Sequence, residues 1–99
     1  MYLNESQIKQ IKNFFQDKPV EKVFLFGSYA VGDATEESDI DLLIESNSEF
    51  RFLKFSGQIE ELEKTLNKKI DFVGMGALRP DRYFTKFVNE QKKIIYEKD

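Results

Sequence analysis

A short apolar strand that ends in Gly27-Ser28, followed by a second strand carrying Asp39 and Asp41, constrains this chain more than anything else in it. Residues 20–26 read VEKVFLF, continuously apolar at the end, as a buried central strand would be. Residues 39–45 read DIDLLIE. On a strand, side chains two apart share a face, so Ile40, Leu42 and Ile44 point one way and Asp39, Asp41 and Leu43 the other. Two carboxylates held that close repel and cost stability unless something cationic sits between them. The near charges in sequence, Glu36, Glu37 and Glu45, are all acidic. A divalent metal is the economical explanation, and all-oxygen ligation favours Mg²⁺ or Mn²⁺.

Asp71 supplies a third carboxylate, set among Ile70, Phe72 and Val73 in the strand-like run KIDFV. A lone buried Asp is unfavourable unless paired, hydrogen-bonded or metal-bound. If its strand lies beside the second one, three carboxylates cluster and can hold two ions, enough to clamp the attacking and leaving oxygens of a nucleotidyl transfer. At Gly27-Ser28 a strand opens into a short helix, which brings free backbone N–H groups, a hydroxyl and a helix N-terminus to one spot. Such a spot suits a phosphate, and Gly suits a close approach of backbone to ligand. Each feature alone has an ordinary alternative. Gly-Ser is often only a turn, Asp-x-Asp often faces solvent, and Asp71 could pair with Lys68 or Lys69.

Composition narrows the chemistry further. The chain has no Cys and no His, which removes disulfides, thiolate metal sites, Ser-His and Cys-His pairs and the usual general base. Catalysis must then run on carboxylates, hydroxyls, Lys or Arg, and bound cations. A net charge of −3 argues against sequence-independent binding of a nucleic-acid backbone. The polar N-terminus lacks a signal-peptide core and no apolar run is long enough for a bilayer, so the expected location is cytoplasmic.

The coarse pattern is one domain over residues 1–99. A first helix spans residues 4–17, capped by Asn4 with Gln7, stapled by Leu3 on Ile8, and apolar along Ile8, Ile11, Phe14 and Phe15. Tyr29 to Val31 begin a short helix, and an acidic loop runs to Ser38. Ser46 and Glu49 suggest another capping box, before a helix carrying Phe52, Phe55, Ile59, Leu62 and Leu66. Pro80 suits the first turn of a last helix that buries Phe84, Phe87 and Val88, and residues 94–96 form a short closing strand. Lys92 and Lys93 read as helix-end charges. The fold class is α/β (α+β), a small mixed β-sheet flanked by helices.

The stretch FGSYAVGDATEESDIDLLI resembles the signature of the DNA polymerase beta–type nucleotidyltransferase superfamily, Gly-Ser followed after ten residues by Asp-x-Asp. Tyr29-Ala30, Gly32, Ser38 and the Leu-Leu-Ile tail resemble its minimal nucleotidyltransferase branch, and KIDFV matches the third-carboxylate strand. The resemblance implies a nucleotidyltransferase fold with ATP as substrate and Mg²⁺ as cofactor. It implies Gly27 and Ser28 on the triphosphate, Asp39 and Asp41 on both metals, and Asp71 completing one metal site and serving as base. It also implies an antitoxin that adenylylates a tyrosine hydroxyl of a HEPN-type helical toxin in a hetero-oligomer. One position departs from the branch: its usual Gly-Ser-Tyr-Ala-Arg-Gly has Val31 in place of Arg here. Two other readings stay open, an antitoxin that works by occlusion with a vestigial nucleotide site, and a stand-alone small-molecule nucleotidyltransferase.

Overall fold

The structure, a computed structural model, describes residues 1–46, 52–74 and 90–98. Helix α1, Glu5–Phe15, starts where its sequence says it should. Asn4 Oδ1 accepts from the Gln7 N–H and Gln7 Oε1 accepts from the Asn4 N–H, both at 2.8 Å, so two otherwise orphaned donors are satisfied. Leu3, Ile11 and Phe15 are buried beneath it. Lys18 follows the helix and is buried too. Its Nζ donates to the Phe14 carbonyl at 3.1 Å and to Asp17 at 2.6 Å, and lies over the Phe14 ring, so the charge keeps its partners while the stem packs.

Among the described residues four strands follow: β1 Lys22–Phe26, β2 Ile40–Glu45, β3 Ile70–Gly74 and β4 Lys93–Glu97. They form one sheet in the order β3-β2-β1-β4. β1 runs antiparallel to β2 and β4, while β2 and β3 run parallel. A parallel pair needs a crossover, which carries α3, Ser56–Leu66. The short helix α2, Ser28–Val31, sits between β1 and β2.

The helix expected around Phe52 enters as a 3₁₀ turn, Phe52–Phe55, before α3 proper. Asn67, in the left-handed region at φ 53°, closes α3, with its N–H and that of Lys68 bonded back to Lys64 and Glu63 carbonyls. Glu63 Oε2 then accepts from the Ile70 N–H at 2.9 Å, which ties the end of α3 to the start of β3. Of the Ser46–Glu49 capping box, Glu49 lies outside the described residues; Ser46 Oγ instead donates to the Pro19 carbonyl at 2.5 Å. The last helix, with Pro80, Phe84, Phe87 and Val88, also lies outside them.

The alternation of β2 separates two environments. Ile40, Leu42 and Ile44 join Val23, Leu25 and Ile70 in the main core, against Ile11 and Phe15 of α1 and Leu62 and Leu66 of α3. On the opposite face Leu43 and Phe26 are buried with Phe24 and Val73 packed beside them. That second face, at the N-terminal end of β2, also carries the acidic residues.

Candidate active site

The register decides which carboxylates meet. Asp41 is the cross-strand partner of Asp71 in the parallel pair and of Phe26 in the antiparallel pair. Neighbouring strands lie about 4.8 Å apart, so Asp41 and Asp71 emerge side by side. Asp39 sits one residue ahead of β2 and is exposed, Asp41 is half-buried and Asp71 is exposed. The Asp41 carboxyl is pushed up to about 6, first by burial, then by the charge of Asp71, a hydrogen bond with Asp71, and the charge of Asp39.

Two sequence expectations change here. Asp71 is not a buried lone acid; it is exposed on β3 and stands beside Asp41. Nor is it neutralised by the adjacent lysines. Among the described residues the ion pairs are Lys18 with Asp17 and Lys22 with Glu97. Lys68 is engaged elsewhere, donating to the Glu36 carbonyl with its Nζ 5.7 Å from the centre of the Tyr29 ring.

Among the described residues no group of three or more acidic side chains is drawn tightly enough to hold a metal ion as it stands. Asp41 and Asp71 touch, and Asp39 reaches Asp41 through its charge. The donor set still fits a hard divalent cation: it is all oxygen and anionic, with Asp41 half-buried at its centre. A carboxylate pair that raises its own proton affinity is a site where a bound cation removes the same repulsion a proton does.

Gly27 is where the site and the chain order lock together. Its φ of 73° favours glycine, and a Cβ there would stand 2.3 Å from Asp41 Oδ2 and 3.2 Å from its Cγ. Besides the phosphate approach expected from the sequence, this glycine is favoured by its positive φ and by its packing against the Asp41 carboxylate. Ser28, half-buried, opens α2, where the Ala30 N–H returns to the Gly27 carbonyl and the Asp33 N–H to the Ser28 carbonyl, each at 3.0 Å. With four residues, α2 carries little macrodipole. Attraction for an anion at this turn would rest on its own N–H groups and the Ser28 hydroxyl.

The loop back to β2 is built rather than merely acidic. Tyr29, 2% exposed, is a core residue whose hydroxyl donates to the Thr35 carbonyl at 3.3 Å. Thr35 and Ser38 bond to each other through backbone and side chain, and Lys68 holds the turn from the β3 side. The sequence offers Lys68 as a partner for Asp71, and nothing in it points to the Glu36 carbonyl.

A mixed sheet that places an acidic pair beside a Gly-Ser turn is the architecture of the nucleotidyl-transfer enzymes. The chain belongs to the nucleotidyltransferase domain family, whose match runs over residues 8–98. It is 39% identical over 98 residues to the Methanocaldococcus jannaschii protein named "Putative protein adenylyltransferase MJ1379", covering 92% of this chain and 95% of that one. With the protein adenylyltransferase MntA of Thermococcus cleftensis it shares 37% identity over 60 residues, 61% of each. The fold superposes on a toxin-antitoxin crystal structure with AMP-PNP at a TM-score of 0.75 and 20% identity, over 93% of this chain and 74% of that one. It also superposes on the complex of tri-AMPylated Shewanella oneidensis HEPN toxin with MNT antitoxin, at a TM-score of 0.71 and 17% identity, over 97% and 74%. At these identities the two solved structures speak for the fold.

Proposed function

We propose that this chain, acting as a single domain in the cytoplasm, is an antitoxin that transfers AMP from ATP to a tyrosine hydroxyl of a HEPN-type helical toxin. The observation that carries the proposal is the Asp41–Asp71 pair, held side by side by the strand register with Gly27 packed against it. Relatives bearing the name protein adenylyltransferase support the AMP donor and the protein acceptor. The toxin-antitoxin complexes support the partner.

In this reading Asp39, Asp41 and Asp71 hold Mg²⁺ (Mn²⁺ would also suit), which supplies charge neutralisation for the triphosphate and the leaving group. The Gly27-Ser28 turn binds the triphosphate through its N–H groups and the Ser28 hydroxyl. Asp71, the more open member of the pair, takes the proton of the acceptor hydroxyl. The acceptor oxygen bonds to the α-phosphorus, the bond from that phosphorus to the bridging oxygen breaks, and pyrophosphate leaves. Positioning and charge do the work, without a covalent enzyme intermediate.

The test is mass spectrometry of the co-purified toxin after incubation with ATP and Mg²⁺, wild type against an Asp39→Asn/Asp41→Asn double variant. AMP-sized mass gains on a tyrosine, lost in the variant, support the proposal. An unmodified but silenced toxin, equally bound by both chains, would replace it with neutralisation by occlusion.

A further inference from the structure

The sequence reads Lys92 as a helix-end charge, and it does follow the helical residues Glu90 and Gln91, but its side chain does more than cap a helix. Lys92 Nζ lies 4.5 Å from the centre of the Phe24 ring. Phe24 packs with Phe26, Leu43 and Val73, on the sheet face that carries Asp41 and Asp71. Lys92 is therefore a cation brought onto the acidic face from the far strand.

The register makes the placement sharper. Asp71 stands opposite Asp41, and Asp41 opposite Phe26. On the other side of β1, Leu25 stands opposite Lys93, so one step further brings Lys92 level with Phe26. The row across the sheet reads Asp71, Asp41, Phe26, Lys92. Two strand spacings separate Asp41 from Lys92, about 10 Å between backbones. Gly27-Ser28 follows Phe26 directly, so the turn leaves β1 at the end where this row crosses the sheet.

Lys92 is half-buried, and among the described residues no carboxylate neutralises it. An ammonium held over an aromatic face and given no hydrogen-bond acceptor among the described residues is suited to an anion. On its flexible four-carbon stem the ammonium can reach from this row toward a phosphate chain whose α-phosphate lies at the carboxylates.

We propose that Lys92 is a substrate-binding residue of this site, contacting the β- and γ-phosphates of the nucleoside triphosphate and the pyrophosphate it becomes. This rests on the nucleotidyl-transfer reading above. Lys92 donates hydrogen bonds to the terminal phosphate oxygens while Phe24 fixes the direction of its stem. When the α-phosphorus–oxygen bond breaks, the charge that develops on pyrophosphate forms beside the ammonium.

The test compares wild type, Lys92→Met and Lys92→Arg in complex with the toxin, with Mg²⁺, titrating ATP, AMP and inorganic pyrophosphate separately. Met keeps the apolar stem over Phe24 and removes the charge; Arg keeps the charge and checks that the position tolerates change. The expected result is that Met weakens ATP and pyrophosphate binding by about tenfold to a hundredfold, the usual weight of a charge-assisted hydrogen bond. AMP binding stays unchanged, KM for ATP rises in step, and Arg recovers most of the loss. Equal weakening of AMP and ATP, or unchanged ATP and pyrophosphate affinity with Met, overturns the assignment and leaves the transfer reading intact. A wild-type complex that binds no ATP at all overturns both.

Discussion

Replacing Asp41 by Asn should stabilise the chain in the absence of metal, and the gain should switch off with acid. A carboxyl whose proton is held more tightly in the folded chain favours folding while protonated and opposes it once ionised. Asp41 moves from an ordinary 3.8 to about 6, so below pH 3.8 both states carry the proton and nothing is lost. Between those two values the unfolded chain ionises first and stability falls as pH rises. Above about 6 the penalty is constant. At about 1.36 kcal/mol for each tenfold change in proton affinity, its ceiling is roughly 3 kcal/mol. Asp41 is only half-buried, and solvent screening reduces that to about 1–1.5 kcal/mol. An Asn retains the shape and can donate to Asp71, so the variant escapes the penalty. For a domain of this size the gain amounts to about 5–10 °C in Tm. The assay is thermal unfolding of wild type and Asp41→Asn in EDTA, at pH 7.5 and at pH 4. A higher Tm for the variant at pH 7.5, shrinking towards none at pH 4, is expected. A variant that is less stable at pH 7.5, or equally favoured at both, would refute the reasoning. Added Mg²⁺ should raise the wild type more than the variant.

Gly27→Ala should cost about 1–3 kcal/mol in urea unfolding, since it strains a positive φ and drives a methyl into Asp41; nucleotide titration should show binding lost with it. Asp71→Asn removes a charge beside Asp41 and can donate to its ionised carboxylate, so carboxyl titration by NMR should show the Asp41 pKa falling from about 6 towards its ordinary range. Asn4→Ala dismantles the cap of α1, far from the acids, and should cost about 1 kcal/mol of stability while leaving transfer unchanged.

Much of the fold was legible because local chemistry and tertiary need agree. Asn4 and Gln7 announce α1, and the alternation in DIDLLIE assigns Ile40, Leu42 and Ile44 to the core and Asp41 to the other face. The candidate site was legible as a set of residue types, Gly-Ser and three acids, and not as a geometry. Spacing within one strand cannot say that Asp71 stands opposite Asp41; that depends on the parallel register imposed by the α3 crossover. Nor can it tell an exposed Asp71 from a buried one, because Ile70 and Phe72 point to the core side whichever way the strand edge is covered. The contacts made by Lys68 and Lys92 were invisible for a related reason. A lysine's partner is chosen by the end of a long side chain, and both reach across strands to groups distant in sequence, Glu36 and Phe24.

Whether these acids direct nucleotidyl rather than phosphoryl transfer to a protein is tested most directly by supplying the toxin complex with ATP labelled at either the α- or the γ-phosphate. Label from the α-position appearing on the toxin, with γ-label released in pyrophosphate, is the expected result. Label reaching the toxin from the γ-position, or a silenced toxin that takes label from neither, would contradict nucleotidyl transfer.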